Sequence, residues 1–438
     1  MRFLLTTIGT AGDVHPFIAV GRALRARGHE VVLLTNPHFA QRIADAGLGF
    51  WPLGTEEEYL AFVRHGDLVA GARSPTFVIN ELILPSFRPT VEAIRTAQRV
   101  FQPDAVFAHH IALGAGAACE SLEIPFAQAV LAPLFWVSRC EQVVFPTLPL
   151  VNPPRIVDAA LRWSLRPFGR WMIDRPVNRL RREVGLAPLR NIGLTGARGG
   201  DGLIARERMP AERAVRTLGL WSKHFRPAQT DDPSNGVICG FATWDRPASH
   251  GRPEEVEREK ATRRWMDDGE PPVVVTLGSS VSHHGEEIYA LAARACAALG
   301  HRGMLLMGAA PARGMPEGVR AIAYAPYSMV MPRGCVTVHH AGIGTTAAAM
   351  RAGRPQVIIP FANDEFDNAA RAGKLGVART VRRSKLSLKT LCAAIDGAIS
   401  DRDGCVAAEK LGEVMRGEED GAVVAAGELE RVAGRSSP

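Results

Sequence analysis

Two stretches of this chain follow one plan: an apolar strand, a loop rich in glycine, then a helix opened by small residues. The first is FLLTTIGTAGDVHPF, Phe3 to Phe17, and the second is CVTVHHAGIGTTAAAM, Cys335 to Met350. Their strands are apolar throughout instead of alternating, so both faces must be covered. Helices on both sides of a parallel sheet meet that need. The surrounding segments extend the plan. FLLTTI, EVVLLT, DAVFA (Asp104 to Ala108) and PFAQAVLA (Pro125 to Ala132) read as strands. The segment from Val14 to Arg27 carries Phe17, Val20 and Leu24 at helical spacing. In the second half PVVVTLGSS, GMLLMG, CVTVHH and RPQVIIPF repeat the pattern, with a helix expected from Glu286 to Leu299. The expected fold is α/β, with two doubly wound halves.

A length of 438 residues allows two or three domains. The turn-rich stretch TDDPSNG to WDRPASH marks the break. The expected boundaries are an N-terminal domain over 1–230, a linker over 231–245, a second domain over 246–420 and a C-terminal helix or tail over 421–438. Between Phe145 and Arg190 the chain turns proline-rich and then basic.

The seven cysteines are scattered and odd in number, and none forms a CxxC pair, which points to a reduced chain without structural zinc. The first apolar run stops at Gly9, too short for a signal peptide, and no run nears the ~20 apolar residues of a membrane span. A cytoplasmic protein is expected. The net charge of +7 permits anionic small substrates or an acidic membrane surface. Zinc-finger spacing and aromatic-and-basic ribonucleoprotein motifs are absent, so nucleic acid is not an expected partner.

The two glycine loops differ in chemistry. Gly9 to Asp13 lacks GxGxxG spacing, which disfavours a dehydrogenase, and it puts a carboxylate where a phosphate would sit. At about 4 Å and an effective dielectric of ~20, two like charges repel by about 4 kcal/mol. The loop from His339 to Thr346 has no adjacent acid, and its amides, hydroxyls and imidazole suit a diphosphate. Gly278, Ser279 and Ser280 offer small donors on a neighbouring loop. The second half is therefore expected to hold a nucleoside diphosphate, and Asp13 to serve as general base facing it across a cleft. Asp13 also suits a helix cap, and the two roles can coexist. His339 and His340 equally suit satisfied histidines at a strand end.

The run HHAGIGTTAAAMRAGRPQVIIPFANDEFDNAARAGKLGVA resembles the donor-binding signature of nucleotide-sugar glycosyltransferases. GTAGDVHPFIAVGRALRARGHEVVLLT, LGSS and YAPYSMVMP resemble their bacterial members, and the overall pattern is similar to the rhamnosyltransferases that make rhamnolipids. The resemblance implies the GT-B fold, two Rossmann-like domains facing across a cleft, and an inverting reaction that needs no metal or other cofactor. By the same resemblance His340 contacts the diphosphate, and Gly342, Gly344, Thr345 and Thr346 form the loop around it. Tyr324 falls where relatives stack a tryptophan on the base. Asp364 falls where an acid holds sugar hydroxyls, with Glu365 in place of the usual glutamine, and Asn368 completes a DxxxN spacing. His109 takes the position of the acid that orients the catalytic histidine of plant members. It reads either as a partner of Asp13 or as a polar strand-end histidine. Ala348 replaces a ribose-gripping glutamate, which is compatible with a dTDP-sugar as well as with UDP-sugars.

The expected reaction moves a hexose from a UDP- or dTDP-sugar to a hydroxyl of a lipophilic small molecule. Phe135, Trp136 and the Pro146 to Pro153 region are the expected acceptor surface. The basic stretch from Arg162 to Arg182 suits peripheral contact with an anionic membrane, and equally a solvated helix face. Asp401-Arg402-Asp403, the one DxD, reads as a solvated turn. Two other readings stay open: a nucleotide-sugar epimerase of the same fold, and a binding protein without turnover.

Overall fold

The computed structural model describes residues 1–138, 140–144, 157, 167, 169–189, 195–196, 215–245, 253–308 and 314–434. The Pro146 to Pro153 region lies outside them. The chain forms two compact units. One comprises Met1–Leu68, Arg73–Trp244 and Glu419–Pro438, and the other Val69–Ala72 and Asp245–Glu418.

The first unit is built on strands β1 (Arg2–Thr6), β2 (Glu30–Thr35), β3 (Gly49–Pro52), β4 (Ala105–His109) and β5 (Phe126–Val130). A short pair, β6 (Trp136–Val137) and β7 (Thr195–Gly196), stands apart, and β8 (Val215–Gly219) and β9 (Gly236–Ile238) finish the sheet. The order is β3-β2-β1-β4-β5-β8-β9 and every pairing is parallel. Phe3, Leu4 and Leu5 of β1 pair with Val31, Val32 and Leu33 on one side and with Ala105, Val106 and Phe107 on the other. These residues are almost all buried, as a central parallel strand requires.

The second unit carries β10 (Val273–Thr276), β11 (Gly303–Leu306), β12 (Val319–Ile322), β13 (Val336–His339), β14 (Gln356–Ile358) and β15 (Ala378–Thr380). Their order is β12-β11-β10-β13-β14-β15, again wholly parallel. The two sheets thus share one topology. Each reverses its winding beside its first strand, between β1 and β4 and between β10 and β13. At such a point the loops from neighbouring strands run apart, leaving room for a ligand.

Residues 231–244, expected as a linker, belong to the first unit. Gly236–Ile238 is its edge strand, and three residues between turn formers are too few to show a strand pattern. The expected C-terminal helix or tail forms a helix, Gly421–Gly434, that packs on the helix Ala11–Ala26. Glu430 receives Arg27 and His29, each at 2.7 Å. A Cβ on Gly421 would fall 2.2 Å from the Gly240 carbonyl oxygen, so only glycine lets the chain enter this helix. No described helix is long and apolar enough to cross a membrane.

Candidate active site

In the second unit, the reversal between β10 and β13 is filled by one ring. A Cβ on Gly278 would stand 2.4 Å from His340 Cε1, and one on Gly342 would stand 2.4 Å from His340 Nε2. The edge of the imidazole therefore lies between two glycines that must remain glycines, and Gly278 also has φ +63°. Burial, reinforced by the neighbouring His339, pushes the His340 pKa down to about 3. The ring is neutral and offers a hydrogen bond rather than a charge. Its Nδ1 is enclosed without a partner, so the Nε2 edge is the one that meets the glycine loops.

The two adjacent histidines divide their roles. His339 Nδ1 accepts from the Ala341 amide at 3.1 Å, and Nε2 donates to Gln356 Oε1 at 2.9 Å. It is fully satisfied and serves the fold. Ala341 has φ +73°, a left-handed conformation that costs an alanine about 1–2 kcal/mol. It is pinned at both ends: His339 takes its amide, and Asn368 Nδ2 donates to its carbonyl at 3.0 Å. Asn368 Nδ2 also donates to Asp364 Oδ2 at 2.7 Å.

This strained turn delivers the chain into the helix Ile343–Ala352 with Gly342 as its cap. The first intrahelical bond is from the Thr346 amide to the Gly342 carbonyl. Helix geometry leaves the amides of Ile343, Gly344 and Thr345 without intrahelical acceptors, at the positive end of the helix dipole. A Cβ on Gly344 would meet nothing within 4 Å, so this turn is open.

Two tyrosines brace the loop after β10. Tyr289 Oη accepts from the Leu277 amide at 3.0 Å and donates to the Leu306 carbonyl at 2.6 Å. Tyr327 Oη lies 3.0 Å from Thr276 Oγ1 and also engages Thr345, tying the end of β10 to the glycine loop.

In the first unit, Thr10 caps the helix Ala11–Ala26, which begins before Asp13, and Asp13 is its third residue. Asp13 Oδ2 accepts the Thr10 amide at 2.7 Å and the Thr10 hydroxyl at 3.2 Å. The other oxygen, Oδ1, lies 3.9 Å from His109 Nε2. Asp13 keeps 28% of its side chain exposed, whereas His109 keeps 2%. Gly9 has φ +116°, and a Cβ there would lie 2.3 Å from Asp13 Oδ2. The loop is therefore shaped around the carboxylate. Burial, and then His110, hold the His109 pKa well below its ordinary value. His110 packs 4.6 Å from Phe135, ring to ring.

Residues 3–129 match the glycosyltransferase family 28 N-terminal domain, and residues 308–428 match the erythromycin biosynthesis protein CIII-like C-terminal domain. The O-mycaminosyltylonolide 6-deoxyallosyltransferase of Streptomyces fradiae is 30% identical over 441 residues, spanning 95% of this chain and 94% of that protein. The chain is a glycosyltransferase of the natural-product and sterol family. Sterol 3-beta-glucosyltransferase UGT80A2 of Arabidopsis thaliana is 28% identical over 96% of this chain, which spans 64% of that longer protein. Among solved structures, the glycotransferase of kitacinnamycin superposes with a TM-score of 0.71 at 21% identity, covering 99% of both chains. VinC in complex with dTDP gives 0.65 at 20% identity over 100% of both chains. The fold of this glycosyltransferase is GT-B, with two Rossmann-like domains, and the enzyme is a hexosyltransferase that uses a nucleotide-sugar donor.

Several expected site residues of the glycosyltransferase are spent within the protein. The Thr346 hydroxyl donates to the Gly342 carbonyl at 3.1 Å and the residue is fully buried. Asn368 is fully buried too, and its Nδ2 is committed to Ala341 and Asp364. Glu365 Oε2 accepts the Phe361 amide at 2.6 Å and the Ala362 amide at 3.0 Å, so its carboxyl closes the loop after β14. Trp136 is 1% exposed, donates from Nε1 to Asp232 Oδ1 at 2.9 Å and packs edge-on against Trp221. It belongs to the scaffold, because its indole N–H reaches a carboxylate already held by Arg226. Phe135 remains partly exposed.

Tyr324 follows β12 and is 55% exposed. Ser279 stands in the turn after β10, and the Ser280 side chain lies outside the described residues. Asp401 caps the helix Arg402–Gly417 and pairs with Arg379 at 2.9 Å. Tyr289, Tyr327 and Thr10 were missed from sequence. Only Thr10, a hydroxyl three residues before an acid at a helix start, carries a local signal.

Proposed function

We propose that this glycosyltransferase moves a hexose from a UDP- or dTDP-sugar to a hydroxyl of a lipophilic small molecule, with inversion and without a metal. The observation that carries the reading is the His340 edge between Gly278 and Gly342, beside the open first turn at Ile343 to Thr345. The acceptor oxygen forms a bond to the anomeric carbon as the bond from that carbon to the diphosphate oxygen breaks. The electron pair leaves with the diphosphate. Its growing charge is met by the His340 N–H, the helix amides and the helix dipole. The acceptor proton passes to Asp13, whose Oδ2 is anchored by Thr10. His109 is too buried to meet the acceptor and orients Asp13 from behind.

Asp364 holds sugar hydroxyls, and exposed Tyr324 stacks on the base. Phe135 lines the acceptor site. The two relatives, an O-mycaminosyltylonolide 6-deoxyallosyltransferase and a sterol 3-beta-glucosyltransferase, support a lipophilic alcohol as acceptor and a hexose as the group transferred. The dTDP bound by VinC supports dTDP among the donors, and Ala348 is compatible with it. All seven cysteines are free, which suits the cytoplasm.

The test is incubation with UDP-glucose, dTDP-glucose or dTDP-rhamnose and a panel of lipophilic alcohols, with and without EDTA. Release of nucleoside diphosphate matched by a glycoside of inverted anomeric configuration is expected in both. Donor conversion without glycoside would support epimerase chemistry or hydrolysis instead. Loss of activity in EDTA restored by magnesium would refute metal independence. Asp13→Asn should bind nucleoside diphosphate and fail to transfer.

A further inference from the structure

One groove of the first unit is untouched by the transfer chemistry. It encloses about 630 Å³ between two stretches of helix, one running from Thr76 to Arg88 and the other from Trp171 to Glu183. Its side chains fall in rows spaced four apart. Met172, Pro176 and Leu180 face Leu84 and make an apolar floor. Trp171, Arg175 and Arg179 form one rim, and Arg88 stands on the other. Trp171 is 61% exposed, and the side chains of Arg179 and Arg88 are 81% and 66% exposed. The one acid in the lining, Glu183, is already engaged by Arg88 and Arg179. The opposite face of the second helix is consumed by the fold: Val177 is buried, and Arg181 pairs with Glu120 at 2.8 Å.

Both walls are also irregular. Each contains a five-residue π-helical segment, Ile79–Ile83 and Arg170–Asp174, with Asn80 on one and Trp171 and Met172 on the other. Wide turns of this kind are rare and concentrate at functional sites. Here they occur opposite one another.

We propose that this groove seats an anionic phospholipid of a bilayer surface. The floor takes the upper acyl chain, the three arginines take the phosphate, and Trp171 lies at the polar–apolar boundary, where indoles prefer to sit. The volume suits a single amphiphile. Trp171 and Arg179 keep most of their surface exposed on the rim, so a lone soluble amphiphile would leave much of that surface in water, whereas a bilayer covers it. The proposal is independent of the donor and acceptor chemistry above.

The full chain is sedimented with vesicles of phosphatidylcholine alone, or of phosphatidylcholine with phosphatidylglycerol, at low and high NaCl. Binding to the anionic vesicles alone, weakened by salt, is expected. Arg175→Gln with Arg179→Gln should weaken it roughly 25-fold, about 5-fold for each arginine removed. Trp171→Ala should weaken it without changing the salt dependence. Circular dichroism and the melting temperature of each variant should match the wild type, since all three side chains are exposed. Equal binding to both vesicle types, binding unchanged in the folded variants, or no binding to either overturns the proposal. So does binding of dihexanoyl phosphatidylglycerol below its micellar concentration with none to vesicles.

Discussion

Glu365→Gln should make the protein more stable at pH 9 than the wild type while leaving stability at pH 5 nearly unchanged. Burial raises the Glu365 pKa from 4.5 to about 8, partly offset by the Ala362 and Phe361 amides that donate to it. Below pH 4.5 the carboxyl is protonated in both folded and unfolded chains. Above that the unfolded chain releases its proton and the folded chain keeps it. Stability therefore falls by about 1.4 kcal/mol per pH unit until the folded pKa is passed. Three to four units give an upper bound of roughly 5 kcal/mol. Asp364 next door, raised by burial to about 6, titrates over part of the same range and shares the loss. A difference of at least ~2 kcal/mol between variant and wild type is expected on going from pH 5 to pH 9. Glutamine keeps an oxygen to accept both amides and removes the charge. Thermal melts of both proteins at pH 5, 6, 7, 8 and 9 measure the difference, and ~2 kcal/mol corresponds to about 4–8 °C for a unit of this size. A variant that tracks the wild type at every pH, or loses stability uniformly, would refute a carboxyl held protonated by burial.

Gly9→Ala should lower kcat at least ~100-fold with little change in nucleoside diphosphate affinity, because the added Cβ would lie 2.3 Å from Asp13 Oδ2 and displace the base; steady-state kinetics with calorimetric titration of UDP and dTDP checks the split. Gly342→Ala should do the reverse and weaken diphosphate binding at least ~10-fold, since its Cβ would push on His340 Nε2 at 2.4 Å. Ala341→Val should destabilise the protein by more than ~2 kcal/mol in urea, a β-branched residue being strained at φ +73°, whereas Ala341→Gly should stay within ~1 kcal/mol of wild type.

The parts legible in the sequence were those whose physics is local. A central parallel strand must be apolar at consecutive positions, so β1, β10 and β13 could be read, and the loops after them were fixed by their glycines. Helix starts are legible to within a few residues: Asp13 reads as a cap before a helix from Val14, whereas Thr10 is the cap and Asp13 lies in the first turn. What could not be read depends on partners distant in the chain. Asn368 completes a DxxxN spacing and so reads as part of the donor site, but its amide reaches back 27 residues to Ala341, a contact that the spacing does not reveal. Trp136 looked like an acceptor surface because an aromatic after a strand is ambiguous until Asp232 is found beneath its N–H. The C-terminal segment reads as a helix or tail from its polar, Glu-rich composition, but its packing does not: Glu430 meets Arg27 and His29 across some four hundred residues.

The two glycine loops show how one topology supports opposite electrostatic roles. Both units wind in the same order and put a helix start at the same reversal point. In the second, a glycine cap leads into a first turn whose amides, at Ile343, Gly344 and Thr345, lack intrahelical acceptors, and the ring beside them is neutral. Among the described residues no side-chain acceptor is bonded to those amides. In the first, Asp13 turns back onto Thr10 and supplies that acceptor itself. A phosphate would have to displace a carboxylate held by two hydrogen bonds and then remain beside its charge. These contacts support the proposal that the diphosphate is held at the second reversal point and not at the first. The difference lies in Asp13, whose Oδ2 closes a capping box on Thr10 and whose Oδ1 lies 3.9 Å from His109, and this carboxylate is the base we propose.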